Sequence, residues 1–313
     1  MTKRKINLEY VLPFGFLIIL FIVFSILNGA SFFRMYNIRT IVDSMIPLCI
    51  GGYGMLFVIA QGSIDMSAGS NLAFSATLGA VLAAKHGSLV ILVLCILIGA
   101  GVGFINGILV SKFKVSSIMA TLAQLIILRS LVVILSKGSV IFVSPSILKM
   151  NRWGSKGLIF VIATIVAIYL FEYTKLGFSA RSIGENEIVC NYVGLKTRRI
   201  KTIAYVVAGA FTGLAAVLTI SRIGGVDPNM GQSFELQVML AVFVGGVPVN
   251  GGSKSSIVKI IIGALLFSIL QSGLVLSNAN SETVELIQGL MLIIMVALIL
   301  KANKMSTVKT SKE

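Results

Sequence analysis

Ten apolar runs, each near the length a helix needs to cross a bilayer, leave this chain of 313 residues little choice of environment. A transmembrane helix takes about 20 mostly apolar residues. The runs lie at residues 11–29, 41–61, 66–84, 88–110, 115–136, 157–173, 200–221, 235–249, 257–276 and 283–300. The eighth is short and ends in Gly245, Gly246 and Pro248, which oppose a continuing helix. The third opens on polar residues, which predicts a break. Composition agrees: 57% of residues are apolar and 12% charged, where ordinary globular chains carry about 25% charge. Too few polar residues remain to cover a water-facing surface. The expected fold is all-α: a polytopic membrane protein of about ten transmembrane helices, some of them broken or half helices. Disordered, collagen-like and disulfide-scaffold folds are excluded by the same figures. The three cysteines, Cys49, Cys95 and Cys190, have no metal or redox spacing.

The formal net charge is +15, and its distribution explains it. Cytoplasmic loops collect Lys and Arg. Ten spans put both termini on one face, where seventeen Lys and Arg fall, against eight on the other, with Arg129 inside the fifth run. Both termini are therefore expected in the cytoplasm. The basic excess reads as an orientation signal, with no nucleic acid as partner. The opening Met-Thr-Lys-Arg-Lys and its apolar run resemble a secretory signal, but the run is longer than a usual signal core and lacks a small-x-small cleavage site. A retained first helix is expected.

Only residues 137–156 and 174–199 form long connections. Both are too short for an independent domain, which usually needs about 50 residues, so energy must come from an ion gradient or another chain. An internal repeat is visible. Asp65-Met66-Ser67-Ala68-Gly69-Ser70 and Asp227-Pro228-Asn229-Met230-Gly231-Gln232 share Asp-x-x-x-Gly, and Asn106–Ser111 is matched by Ser272–Ser277. Five spans per half is odd, so the halves would run in opposite directions, as in many transporters.

Gln61 to Asn71 is a polar, flexible interruption between apolar runs. Non-helical backbone at membrane depth survives only where protein or a water-filled cavity satisfies it, and an ionisable residue there marks a pathway or a pairing. Asp65 fits a cap on the following helix as well as a pathway; Ser67 and Asn71 fit pathway lining. Asp227 to Glu235 makes a similar entry to the eighth span, where Glu235 either faces a conduit or meets the helix dipole. Asn106 lies between Gly103 and Gly107, whose spacing, like that of Gly209 and Gly213, allows close helix contact. Arg129 and Gln124 need polar neighbours if buried. The expected translocation residues are Asp65, Ser67, Asn71, Asn106, Asp227 and Glu235.

Enzymatic chemistry finds no support. His86 is the single histidine, with no triad or metal partner. Gly246 to Ser255 is no phosphate loop, because Ser253 stands where a Walker motif needs Gly before Lys254. No catalytic, metal or cofactor site is expected, and no ATPase site of its own. The stretch 174–199 differs in kind. Ile188, Val189, Tyr192 and Val193 follow i, i+1, i+4, i+5, one face of a short helix, between Gly184 and Gly194 and among charges including Glu185 and Glu187. A short apolar-faced helix outside the bilayer suits docking to a partner's groove; a plain basic loop enforcing topology is the alternative.

Together these motifs resemble the permease family of bacterial ABC importers for ribose and related sugars. Gly62 to Ser70 resembles its Gly-Gly-Ile-Asp-Leu-Ser-x-Gly-Ser signature; Ile183 to Arg199 resembles its cytoplasmic coupling segment; Gly231 to Leu236, Gly245-Gly246 and Gly251-Gly252-Ser253 resemble its later features. Gly62-Ser63 replaces Gly-Gly, and Val193-Gly194-Leu195 replaces a small-residue version. The resemblance implies a transmembrane permease domain over 11–300, flanked by cytoplasmic segments 1–10 and 301–313. It also implies a second permease subunit, identical or related, two cytoplasmic ATPase subunits and an external sugar-binding protein, in the bacterial cytoplasmic membrane. Gly184, Glu185, Asn186, Glu187, Tyr192 and Gly194 would form the ATPase-coupling segment. The rivals are a gradient-driven secondary transporter, which needs ionisable residues deep in its spans, and a permease of the same family for a non-sugar polar solute.

Overall fold

Each of the ten apolar runs is a helix in the computed structural model, which describes residues 8–83 and 87–310. His86 lies outside the described residues, as do residues 1–7 and 311–313 of the two tails. In chain order the first helices are α1 (Leu8–Asn28), the single turn α2 (Ala30–Phe33), α3 (Met35–Ala60), α4 (Ala68–Leu82), α5 (Ser88–Ser111) and α6 (Ser117–Ser136). There follow strand β1 (Ile141–Phe142), the turn α7 (Pro145–Leu148), α8 (Trp153–Ile168) with a π-turn over Tyr169–Tyr173, α9 (Lys175–Tyr192) and α10 (Thr197–Ile223). Strand β2 (Gly225–Val226), α11 (Phe234–Val244), α12 (Ile257–Leu276) and α13 (Ser281–Thr310) complete the chain. Among the described residues seven helices are long and apolar enough to cross a membrane, while Pro13–Asn28, α4 and α11 are shorter apolar helices.

The expected interruptions have local causes. Gly62, at φ 75°, ends α3 in a Schellman motif, with Gly62 N–H donating to Ile59 O at 2.8 Å and Ser63 N–H to Val58 O at 3.1 Å. At the other break Gly246, at φ 96°, follows the end of α11. With 11 residues, α11 spans about 16 Å, roughly half the hydrocarbon thickness.

Glycine sets the closest packing. Gly99, Gly103 and Gly107 of α5 lie against Gly209, Gly213, Tyr205 and Thr202 of α10 so tightly that a Cβ on any of the three would enter the facing backbone. Helices in lipid gain from such close approach because water drives none of their association. The second half of α3, from Leu48 to Ala60, is buried throughout, so it forms the centre. It runs antiparallel to α10, with Gly54 on Ala208 and Phe211 and, further along, Val58 beside Tyr205.

The contacts repeat. The packing of α10 on α5 is matched by α3 on α12, α4 on α5 by α11 on α12, α4 on α6 by α11 on α13, and α10 on α4 by α3 on α11. A long helix, a break, a half helix and two spans therefore occur twice, in opposite directions. The outermost helix of each half departs from the pattern, since α1 packs on α12 whereas α8 packs on α3. One end of the bundle carries α9; at the other, β1 pairs antiparallel with β2, Ile141 opposite Val226.

Replacing Gly209 by Ala places a methyl group in the Gly99 carbonyl, and overpacking of this kind costs about 1–3 kcal/mol. The melting temperature of the purified protein in detergent is expected to fall by several degrees. Gly101→Ala, where nothing lies within 4 Å, should leave it unchanged or raised. Equal melting of both variants would contradict the packing account.

Candidate functional site

The break after α3 is a built polar structure. Its backbone donors are met by side chains of α6: Ile64 N–H reaches Ser117 Oγ at 3.3 Å and Met66 N–H reaches Thr121 Oγ1 at 3.0 Å. Asp65 accepts from Ser67 N–H at 2.9 Å and from Ser67 Oγ–H at 2.6 Å, an Asx turn that closes the loop just before α4. Asn106 Nδ2 donates to Ser67 Oγ at 2.8 Å, and Asn71 Nδ2 donates to Gly99 O at 3.3 Å while its Oδ1 accepts from Ser75 Oγ. Asp65, Ser67, Asn71 and Asn106 thus form one buried cluster, and protein groups, rather than an open channel, occupy most of their hydrogen-bonding capacity.

The second copy of the motif folds in the same way. Asp227 Oδ1 accepts from Asn229 N–H at 2.7 Å, another Asx turn, although half-buried and apart from the first cluster. The two motif glycines then meet: a Cβ on Gly69 would strike Gly231 O, and one on Gly231 would come within 2.6 Å of Gly69 O. At this junction α4 and α11 begin side by side and run apart. The Glu235 carboxylate, in the first turn of α11, lies against Gly69 in the first turn of α4. It therefore sits at the positive ends of two helix dipoles, which favour an anion. Arg129 crosses from α6 to donate to Met230 O at 2.7 Å, so the polar neighbour it requires is the loop entering α11.

The segment α9 is two helices in one. Asn186 is extended, at φ −162° and ψ 101°, and its Oδ1 accepts from Val189 N–H at 3.1 Å, capping a short second helix. Gly194, at φ 81°, closes it in a Schellman motif: Leu195 N–H donates to Cys190 O at 3.0 Å and Gly194 N–H to Asn191 O at 3.1 Å. On this helix Ile188, Val189, Tyr192 and Val193 are all exposed, Tyr192 to 87%, while Cys190 is buried. Glu187 does not join that face, because its carboxylate pairs with Lys201 Nζ of α10 at 2.6 Å.

The first part of α9 is tied into the bundle. Arg181 pairs with Glu172 at 2.7 Å. Gly184 has no room for a side chain against Ala60 O and the Gly252 backbone, and Gly252 N–H itself donates to Ala60 O at 3.0 Å. Glu185 accepts from Ser253 Oγ–H at 2.7 Å and from Ser253 N–H at 2.8 Å, hydrogen bonds that hold its carboxyl below the usual carboxylate range. This tie is complete at neutral pH and is lost as the pH falls through that lowered value. Ser253, which the sequence offers only as a poor phosphate loop, is thus the receiving surface for α9. Lys259, one of the seventeen basic residues counted on the cytoplasmic face, is buried and donates to Gly246 O at 3.0 Å and Lys254 O at 2.8 Å, satisfying carbonyls past the end of α11.

Two cavities flank the junction. One of about 600 Å³ at the α9 end is lined by Ser63, Ser111, Lys114, Ser117, Arg198 and Lys201 among others. The other, of about 270 Å³, lies toward the β1 end and reaches Leu72, Gly231 and Phe234. Between them stand the Asp65 cluster and Glu235. Ser117 and Thr121 were not singled out by sequence reasoning; their only sequence signal is a pair of hydroxyl residues one helical turn apart at the start of a span.

Comparison with known proteins gives a consistent result. The chain is 33% identical over 312 residues to the ribose import permease protein of Bacillus subtilis strain 168, covering 95% of each chain. It is 28% identical over 295 residues to the ribose import permease protein of Escherichia coli K12, covering 90% of this chain and 91% of that one. It is also 28% identical over 291 residues to an L-arabinose ABC transporter permease protein of Azospirillum brasilense, covering 90% and 86%. No solved structure matches. The family model for the permease component of the branched-chain amino acid transport system matches residues 37–296, nearly the whole helical bundle described above, and the chain belongs to that permease family.

Proposed function

We propose that this chain is the membrane permease subunit of an ATP-driven importer for a ribose-type monosaccharide. In this reading it works with a second permease subunit, identical or related, with two separate cytoplasmic ATPase subunits, and with an external sugar-binding protein. The observation that carries the reading is the capped helix after Asn186 with its exposed apolar face. Ile188, Val189, Tyr192 and Val193 present that face at the end carrying α9, which the charge count puts in the cytoplasm with both termini. The curated relatives are named as ribose and L-arabinose permeases, which supports the sugar.

The ties around α9 supply a mechanical route. Gly184 and Glu185 join it to the end of α3 at Ala60 and to the turn at Gly252 and Ser253. The first of these leads into the Asp65 break and the second leads back to α11. A push on α9 from a closing ATPase therefore reaches both half helices whose starting ends form the septum between the two cavities. Asp65, Ser67, Asn71, Asn106, Asp227 and Glu235 belong to the pathway in this sense: they hold the septum and its entry loops, and the sugar passes when the septum parts. Ion coupling would call on the buried acids Asp65 and Glu235; Asp65 is already held by Ser67 at 2.6 Å, and Asp43 and Glu172 are each committed to an ion pair, with Lys156 at 2.6 Å and Arg181 at 2.7 Å.

Covering a fully exposed aliphatic side chain contributes about 1.5–3 kcal/mol. The double substitution Ile188→Ala with Tyr192→Ala is expected to reduce copurification of the ATPase at least roughly tenfold while the permease stays in the membrane; undiminished copurification would overturn the docking role. A Tyr192→Cys variant should react with a membrane-impermeant thiol reagent only when the cytoplasmic face is open to it, and labelling from outside intact cells would reverse the orientation. Gly69→Ala drives a methyl into Glu235 and Gly231 O. It should cut uptake roughly tenfold without releasing the ATPase, and wild-type uptake would argue against the septum.

A further inference from the structure

Two helices begin and two end around the larger cavity, at the end of the bundle that carries α9. The beginnings are α6 and α10, whose first residues Ser117, Thr197 and Arg198 line it. Neither helix has a side-chain cap or an acid in its first turn, so the leading N–H groups that a helix cannot pair internally stay available there. The ends are those of α5 and of the capped helix in α9, and several of their last carbonyls are taken. Ile108 O accepts from Lys112 N–H at 2.9 Å and Leu109 O from Val115 N–H at 3.2 Å, as Cys190 O and Asn191 O accept from Leu195 and Gly194. The backbone around the cavity is therefore richer in free donors than in free acceptors. The side chains have the same sense. Lys114, Arg198 and Lys201 line the cavity against a single carboxylate, Glu187, which Lys201 already pairs at 2.6 Å. Asp65, behind the lining, is turned to Ser67. At the inner wall Ser63 and Ser117 stand near the Tyr205 hydroxyl, which is fully buried and meets no partner in hydrogen-bonding geometry. Lys114 is held at φ 56° between α5 and α6, a left-handed conformation that a residue other than glycine enters at a cost.

We propose that this cavity binds the phosphate group of an anionic ligand on the α9 side of the membrane, with Lys114 and Arg198 as its charge partners and with Ser63, Ser117 and the first turns of α6 and α10 as its hydrogen-bond donors. Helix beginnings and basic side chains match phosphate in both charge and donors. Arginine brings a planar fork for two phosphate oxygens, and lysine a point charge. The volume of about 600 Å³ falls inside the roughly 300–1,000 Å³ of ligand sites, which leaves room for a glycerol or a sugar beside the phosphate. Two sources share this chemistry: the headgroup of an anionic lipid from the adjoining leaflet and a soluble phosphate ester. The site is separate from the exposed apolar face of α9, since Ile188 is the one residue of that face in its lining. A bound phosphate joins α6, whose Ser117 supports the first break, to the start of α10 and to the capped helix. The cavity thereby places a ligand against the segment that the proposed function assigns to the ATPase, without touching the question of cargo.

The test uses the full-length permease in dodecyl maltoside, titrated with D-ribose 5-phosphate and, separately, with dioctanoyl phosphatidylglycerol. D-ribose and dioctanoyl glycerol, at matched ionic strength, are the phosphate-free controls. At least one phosphate compound should raise the melting temperature by about 3 °C or more at saturation, and neither control should. A shift with phosphatidylglycerol alone supports the site with a lipid headgroup as its source; a shift with ribose 5-phosphate supports it with a soluble ester. The pair Lys114→Gln and Arg198→Gln should abolish the shift. The pair Lys112→Gln and Arg199→Gln removes the same charge from exposed residues outside the lining and should keep it. Because a double variant can fail to fold, Lys114→Gly provides an independent measure: it removes the charge while suiting the positive φ, so it should melt no lower than wild type and yet need about tenfold more ligand. No shift with either phosphate compound, or equal shifts in wild type and in the Lys114–Arg198 pair, would overturn the proposal. So would loss of the shift when the ATPase is bound, because the cavity would then belong to the ATPase contact. Melting of the permease needs no transport, so the result holds whether or not the sugar-importer reading does.

Discussion

Polypeptide backbone that leaves the helix inside a membrane must find its hydrogen bonds from protein or from a water-filled cavity, since lipid offers none, and the rest of this architecture follows from how two such breaks are satisfied. At the first, Ser117 and Thr121 of α6 take the donors of Ile64 and Met66, and Asp65 folds back on Ser67. At the second, Asp227 folds back on Asn229 and Arg129 takes Met230 O. The two half helices that follow then start against each other, glycine on glycine, with Glu235 in the combined field of their first turns. Neither half could close this way alone, because each break is completed by groups from the other half or from a neighbouring span.

In the proposed function that junction makes α9 mechanically relevant. A docking helix held by a single flexible loop would absorb a partner's push. Here Gly184 and Glu185 meet the end of α3 and the Gly252–Ser253 turn directly, and both of those lead to the septum. The kink at Asn186 separates the part of α9 that is built into the bundle from the part that offers apolar side chains outward. One segment thereby combines a rigid attachment with an exposed apolar face.

Much of this was legible along the chain. The ten spans, the broken third and short eighth, and the apolar stripe of 188–193 are local properties: run length, glycine and proline positions, and helical periodicity act within a few residues and need no partner. The Asp-x-x-x-Gly repeat was also visible, although its meaning was not, since that two glycines so far apart in the chain touch is a fact of three-dimensional packing. The roles of single polar residues were least legible. Asp65 reads as cap or conduit until its partner is known, Glu187 lies in the coupling segment in sequence but turns to Lys201, and Lys259 counts among the basic residues of one face until its amine is found among carbonyls.

Hydrophobic run length and charge bias thus determine, from residues alone, that the chain lies in a membrane, how often it crosses and where its helices must stop. Which polar groups are consumed by the fold and which are left facing space was decided only when the helices packed. The physical reason is that a hydrogen bond needs two partners. At the first break Ile64 N–H and Met66 N–H find Ser117 and Thr121 of α6, and Asn106 finds Ser67, partners far apart in the chain that meet only in the packed bundle, whereas Asp65 finds its own two residues away.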